Sequence, residues 1–147
     1  MHDDLNFWCN LQWPASPNDN DVQIFKEYSY GKTLLLGSTK QLLTLCDEAW
    51  DLNPKYDNCK IIHKDWLTIN EQWDTIIGDG ILCFDKMFTD QLLTLLTQNC
   101  DNLVIRSFLN PSWVTKYATY FPRYYELDPQ PTVIPINNIY AFYIWNR

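Results

Sequence analysis

The chain has 147 residues, a formal net charge of −7, and 46% hydrophobic and 16% aromatic content. That length suits one domain with its own core, and that composition excludes disorder. With no run of Lys or Arg, an acidic surface repels a phosphate backbone, so nucleic-acid binding is not expected as the main task.

The N-terminal stretch "MHDDLNFWCNLQW" is acidic and has no apolar leader core. No segment approaches the ~20 apolar residues of a membrane span, so no membrane association is expected. Trp13-Pro14, Ser16-Pro17 and the run Asn18 to Asp21 read as a loop ending in a helix cap. Val22, Phe25 and Tyr28 then mark one side of a short helix. Gly31-Lys32-Thr33 has the look of a phosphate-binding loop's end. Such a loop needs a glycine at the position of Lys26, and it must follow a strand rather than precede one. Both conditions fail.

Residues 33–36, a threonine and three leucines, read as a short strand of the type buried on both faces of a parallel sheet. Residues 39–46 read as a helix with Leu42, Leu43 and Cys46 inward. Further strands are expected at 48–52, 60–64, 73–77 and 103–108, with a helix at 88–99 burying Leu92, Leu95 and Leu96. Residues 53–74 are too few for full crossover helices, so those connections must be abbreviated. Asn110 and Pro111 open a helix to about Phe121, and a strand near 124–127 leads through a proline-rich connection to a β-type run at 139–145. The alternation gives an α/β, Rossmann-like, mostly parallel sheet of about seven strands with flanking helices, the last strand antiparallel. A single domain is expected, with residues 1–30 as arm and helix and residues 31–147 as the α/β core.

Five cysteines without a C-x-x-C spacing point to reduced thiols and a cytoplasmic protein. With only His2 and His63 as histidines, no metal site is expected. His63 reads as a packed, hydrogen-bonded residue. The late cations Arg106, Lys116, Arg123 and Arg147 read as solvated. Seven tryptophans and nine tyrosines suit either an aromatic core or a flat ligand.

The polar residues at strand ends carry the functional reading. Gly37 ends the first strand, Asp51 the second, Asp65-Trp66 follow the third, and Gly78-Asp79-Gly80 end the fourth. The carboxyl edge of a parallel sheet is where α/β proteins bind ligands. A dinucleotide turn would place glycines at Thr39 and Leu42, so NAD is disfavoured. One tight glycine bend, a carboxylate for a ribose and an aromatic pocket suit a nucleoside cofactor without phosphates. Each residue also has a plainer reading. Gly37 could be a simple turn, Asp51 a cap for Asn53-Pro54, Asp65 an N-cap and Trp66 a core residue.

The ordered segments "WPASPNDNDVQIF", "TLLLGSTKQLL", "AWDLNP", "KDWL" and "WDTIIGDGIL" together resemble class I S-adenosylmethionine-dependent methyltransferases. The resemblance runs from Trp13 to about Pro111 and implies S-adenosyl-L-methionine as cofactor. It implies that Gly37, Ser38 and Thr39 line the methionine side and that Asp51 takes the ribose hydroxyls. It places Leu52 against the adenine, Asp65 on its amino group and Trp66 beside its ring. Asp79, Gly80 and Ile81 would face the methionine portion, with Asp79 the nearest candidate for a base. Trp8, Asn10 and Trp13 in the arm are candidates for substrate contact or for anchoring the arm. The sequence departs from the family by carrying Leu35 and Leu36 where an acidic residue often stands, and by a short region after the fifth strand. The expected acceptor is a small molecule, with the arm, the loop after Gly80, residues 108–113 or a partner subunit (a homodimer included) completing its pocket. The alternative is a non-catalytic binding or scaffold domain.

Overall fold

The structure is a computed structural model that describes residues 16–82, 86–108, 127–137 and 139–146. Helix α1 (Asp19–Tyr28) precedes strands β1 (Thr33–Leu36), β2 (Glu48–Trp50), β3 (Ile61–Ile62) and β4 (Trp73–Asp79). Helix α2 (Lys86–Gln98), β5 (Cys100–Phe108), β6 (Thr132–Pro135) and β7 (Tyr140–Asn146) follow. The seven strands form one sheet in the order β3-β2-β1-β4-β5-β7-β6. Strands β1 to β5 run parallel, and β7 lies antiparallel between β5 and β6. The order reverses between β1 and β4, which makes that boundary the topological switch point.

Both faces of the sheet are covered, which is why β1 carries three leucines in a row, Leu34 to Leu36, after the buried Thr33. Leu34 and Leu36 join Ile76, Leu103 and Ile105 under Leu92, Leu93 and Leu96 of α2. On the other face Leu35, Ile77, Val104 and Phe142 pack with Phe25 of α1 and with Leu42 and Leu43. Phe25 meets Phe142 edge-on at 4.9 Å. Helix α1 begins with a reciprocal capping box: the Asp21 N–H donates to Asn18 (2.9 Å) and the Asn18 N–H donates to Asp21 (3.0 Å). Buried polar residues hold its other end. Asn102 donates to the Tyr28 carbonyl at 2.5 Å, and the Thr75 hydroxyl donates to the Tyr30 carbonyl at 2.7 Å.

The Gly31-Lys32-Thr33 amides serve the protein itself. The Lys32 N–H donates to Asp74 (2.6 Å) and the Thr33 N–H to Asp47 (2.8 Å), at the edge of the sheet where β1 begins. Gly31 has φ +67°, and a Cβ there would fall 2.2 Å from an Asp74 carboxylate oxygen. Gly31→Ala is therefore expected to destabilise the fold by about 2–4 kcal/mol, combining left-handed strain with a clash. A urea denaturation midpoint unchanged by this substitution would contradict the close approach.

Cys46, Cys59 and Cys100 are free thiols. Burial pushes the Cys46 thiol up from 9.0 to about 11, against the opposing charge of Lys60. Unfolded, the thiol ionises near 9, whereas folded it keeps its proton until about 11. Its contribution to stability is thus complete below pH 9 and is lost as pH rises from 9 to about 11. Cys46→Ala is expected to flatten the alkaline fall in stability over that interval by ~2 kcal/mol, read from denaturation midpoints at its two ends.

Several local expectations are corrected. Residues 40–45 form a 3-10 turn (Lys40–Leu45) rather than an α-helix, although Leu42, Leu43 and Cys46 are buried as expected. The connection between β3 and β4, in contrast, is abbreviated as expected, to one 3-10 turn, Trp66–Thr68. Strand β6 forms from the stretch read as a proline-rich connection; its Pro135 closes an edge strand, where a missing N–H costs least. Leu127 is a buried bend, not a strand residue. His63 lies beyond the two-residue β3 and is exposed, and Tyr28 is exposed at the helix end. The expected helix at 111–121 and residues 124–126 lie outside the described residues. No helix among the described residues is long and apolar enough to cross a membrane.

Candidate functional site

The register brings the expected strand-end residues to one edge. Leu36 pairs with Trp50 on one side and Gly78 on the other, so Gly37, Asp51 and Asp79 leave neighbouring strands at adjacent positions. Gly37 has φ +89°, a conformation that strains any side chain. Its N–H donates to the Trp50 carbonyl at 2.8 Å, which ties the turn to β2. Space opens over this turn: the nearest atom to a Cβ placed on Gly37 would be a Trp66 ring carbon at 4.0 Å.

The Asp51 carboxylate joins two loops. One oxygen accepts the Ser38 hydroxyl at 2.6 Å and the other accepts the Asn53 N–H at 2.9 Å. The local turn-capping role and a ligand role are therefore compatible, because each oxygen accepts a single bond in this set and has a second lone pair. The Tyr56 hydroxyl donates to the Ser38 carbonyl, holding the loop after β2 against the glycine turn. Leu52 is 57% exposed, an apolar face at the strand end. Asp65 caps the 3-10 turn by accepting the Leu67 N–H at 2.9 Å, and it is exposed. Trp66 is half-buried and donates its indole N–H to the Trp50 carbonyl at 2.7 Å, which fixes its ring beside Gly37. Thr39 ends the glycine turn and accepts the Leu42 N–H at 3.0 Å.

At the end of β4, Asp79 faces Arg106 directly across the β4–β5 pairing. Arg106 forks onto it through Nε (2.5 Å) and Nη2 (3.0 Å), and the Gly80 N–H donates to the Arg106 carbonyl at 2.8 Å. Ile81 is buried in the α2-side core. Burial raises the Asp79 carboxyl above the usual carboxylate range, Arg106 pulls it back in part, and the Asp21 charge adds to the rise. Burial also works against the Arg106 charge, but the Asp79 and Asp21 carboxylates outweigh it and hold the guanidinium above its ordinary value.

Arg106 is thus a correction: it is 4% exposed and ion-paired rather than solvated. A signal was present in the sequence. A charge inside the apolar run Leu103 to Phe108 must find a partner once the strand is buried. Asp21, Tyr140 and Tyr56 also take part at this edge without having been singled out. Trp8, Asn10 and Trp13 lie outside the described residues. Two clefts elsewhere, of about 240 Å³ near the start of β5 and about 580 Å³ on the flank of α2, include none of the strand-end residues.

No protein-family model matches the sequence, and comparison with curated proteins gives no match either. Solved structures do share the architecture. The complex of DhpI with SAM and HEP superposes with a TM-score of 0.68 at 12% identity, over 97% of this chain and 95% of that one. The SAH-bound magnesium protoporphyrin IX methyltransferase ChlM of Synechocystis PCC 6803 gives 0.62 at 10% identity, over 86% and 79%. This is a methyltransferase fold. The methyltransferase domain of bacterial CtHen1 shares the same fold, at 0.61 and 8% identity over 86% and 95% of the two chains. At such identities the methyltransferase fold is what is held in common, and the chemistry rests on this chain's own strand-end residues.

Proposed function

We propose that the chain is an S-adenosylmethionine-binding methyltransferase that transfers the methyl group directly to a small-molecule acceptor. The observation that carries this reading is the switch point, where the open Gly37 turn, the Asp51 carboxylate and the Asp79–Gly80 turn lie at one sheet edge. The residues fit a nucleoside. Asp51 would accept the ribose hydroxyls, Leu52 and Trp66 would flank the adenine, and Asp65 would accept from its amino group. Gly37, Ser38 and Thr39, with Asp79, Gly80 and Ile81 opposite, would hold the methionine part.

When bound, the cofactor supplies a methyl group already activated on a sulfonium. The protein's task is then to align the acceptor and exclude water. With both carboxylate oxygens on Arg106, Asp79 is better placed as a fixed negative charge than as a proton acceptor. The net charge of −7 favours a small acceptor over a polyanion. Solved structures that share this fold and hold SAM or SAH support the cofactor assignment.

Calorimetric titration with S-adenosylmethionine, S-adenosylhomocysteine and NAD in parallel tests the reading. Micromolar binding of the first two, with none of NAD, is the expected result. If none of the three binds, the glycine turn is structural only. The chain is then the non-catalytic scaffold domain suggested by Leu35 and Leu36, both buried where an acidic partner for the cofactor's ammonium often stands.

A further inference from the structure

Arg106, under the site, binds the fold together. Its Nη1 donates to Asp21 of α1 at 3.0 Å, and the Tyr140 hydroxyl of β7 donates to the other Asp21 oxygen at 2.9 Å. With Asp79 on β4, the assembly joins four segments, α1, β4, β5 and β7, around one guanidinium. The rim of the site at β2 is built differently, and it centres on Tyr56.

Ser38 is gripped by both ends of the segment 51–56. Asp51 accepts the Ser38 hydroxyl at 2.6 Å, and the Tyr56 hydroxyl donates to the Ser38 carbonyl. The same turn is tied to β2 one residue earlier, where the Gly37 N–H meets the Trp50 carbonyl, which also accepts the Trp66 indole N–H. The Asp51 backbone is fixed as well, since its N–H donates to the Ile62 carbonyl of β3 at 3.1 Å. What is left to set is the plane of the carboxylate. Two donors set it, the Ser38 hydroxyl on one oxygen and the Asn53 N–H on the other. Each oxygen has a further lone pair, so the pinned carboxylate offers two acceptors at fixed spacing. Two vicinal hydroxyls are the partner that such a pair of acceptors reads.

Resting on the methyltransferase reading, we infer that Tyr56 is a positioning residue for the cis-diol of the nucleoside ribose. Its ring packs against the α1-side core, and its hydroxyl holds the Ser38 peptide so that the Ser38 hydroxyl reaches Asp51. A carboxylate set before the ligand arrives has less rotational freedom to lose on binding, and its preference for a diol rises accordingly. Tyr56→Phe keeps the packed ring and removes only the hydroxyl. The residue left with an unbonded carbonyl, Ser38, is half-buried, so water can take up that carbonyl and the fold should survive.

The test compares affinities of the full chain for S-adenosylhomocysteine and its 2′,3′-dideoxy analogue by calorimetry, with far-UV circular dichroism to verify folding. The unmodified protein is expected to favour the diol by roughly tenfold or more, and Tyr56→Phe to lower that ratio about fivefold. Ser38→Ala should lower it by a similar factor, and the double variant should fall no further, because the two groups act in series. Tyr30→Phe, which removes a hydroxyl from an exposed tyrosine ahead of β1, should leave the ratio unchanged. A purely structural role for Tyr56 would weaken both ligands alike and leave the ratio fixed, and that result would overturn the inference while sparing the proposed function. Effects of Tyr56→Phe and Ser38→Ala that simply add would overturn it too, since Tyr56 would then act without Ser38. Equal affinity of the unmodified protein for the two ligands would mean that no diol is read, with the same consequence. Failure of the unmodified protein to bind either ligand would overturn both readings. If Tyr56→Phe does not fold, Ser38→Ala carries the test alone, and a ratio unmoved by it is decisive against the inference.

Discussion

Asp51→Ala is expected to reduce affinity for S-adenosylmethionine ten- to a hundredfold while the sheet stays intact. A hydrogen bond to a charged group in a partly buried site contributes about 1.5–3 kcal/mol, and that sets the range. The substitution also releases the Ser38 hydroxyl and the Asn53 N–H, which both donate to Asp51, so a stability loss of about 1 kcal/mol should accompany it. Asp51→Asn separates the two effects. It can retain much of the local turn while removing the charge, and it should recover most of the stability but little of the affinity. Titration of both variants, with thermal melts alongside, checks the prediction. Affinity unchanged in both would place the ribose elsewhere.

Arg106→Met carries the largest expected stability effect. It leaves the Asp79 and Asp21 side chains buried without their shared cation, and breaking a buried ion pair from one side costs about 3–5 kcal/mol. For a chain of this size that corresponds to a fall in melting temperature on the order of 10 °C. Arg106→Lys keeps a charge but cannot form the fork across both Asp79 oxygens, so its loss should be intermediate. A melting temperature within a degree or so of the unmodified protein for Arg106→Met would mean that the carboxylates find water or protonate without cost, and the assembly would lose its structural role.

The two variants also separate the parts of the edge. Asp51 sits at the rim of the candidate site with little core around it, so it should report mainly on binding. Arg106 sits under the site and joins four segments, so it should report first on stability. A chain in which both variants lost stability equally would indicate that the β2 loop is as structural as the β4–β5 pairing.

Much of the framework was readable from local pattern. An uninterrupted apolar run such as Leu34 to Leu36 is best satisfied between two covered faces, and the alternation of such strands with helical leucine spacing specifies a parallel sheet. The placing of Gly37, Asp51, Asp65-Trp66 and Asp79 after strands followed from the same pattern, because ligand-binding chemistry gathers where parallel strands end. The failure of Gly31-Lys32-Thr33 as a phosphate loop was also local, since its position before a strand was enough to reject it.

What sequence order could not supply was any relation between residues far apart in the chain. Whether Arg106 is solvated or buried depends on the register that sets it opposite Asp79, and on Asp21, which is 85 residues away along the chain. The strand formed by Thr132–Pro135 pairs with the edge that β7 offers; Thr132, Val133 and Ile134 are strand formers, but Pro129, Pro131 and Pro135 around them read as a connection. The sequence by itself determined which residues must be covered and where polar groups must break the strands, since both follow from burial of apolar surface and the geometry of the chain. Only the tertiary structure decided which charges meet, because a buried ion pair is specified by the register of neighbouring strands and the docking of a helix, and neither leaves a periodic trace along the sequence.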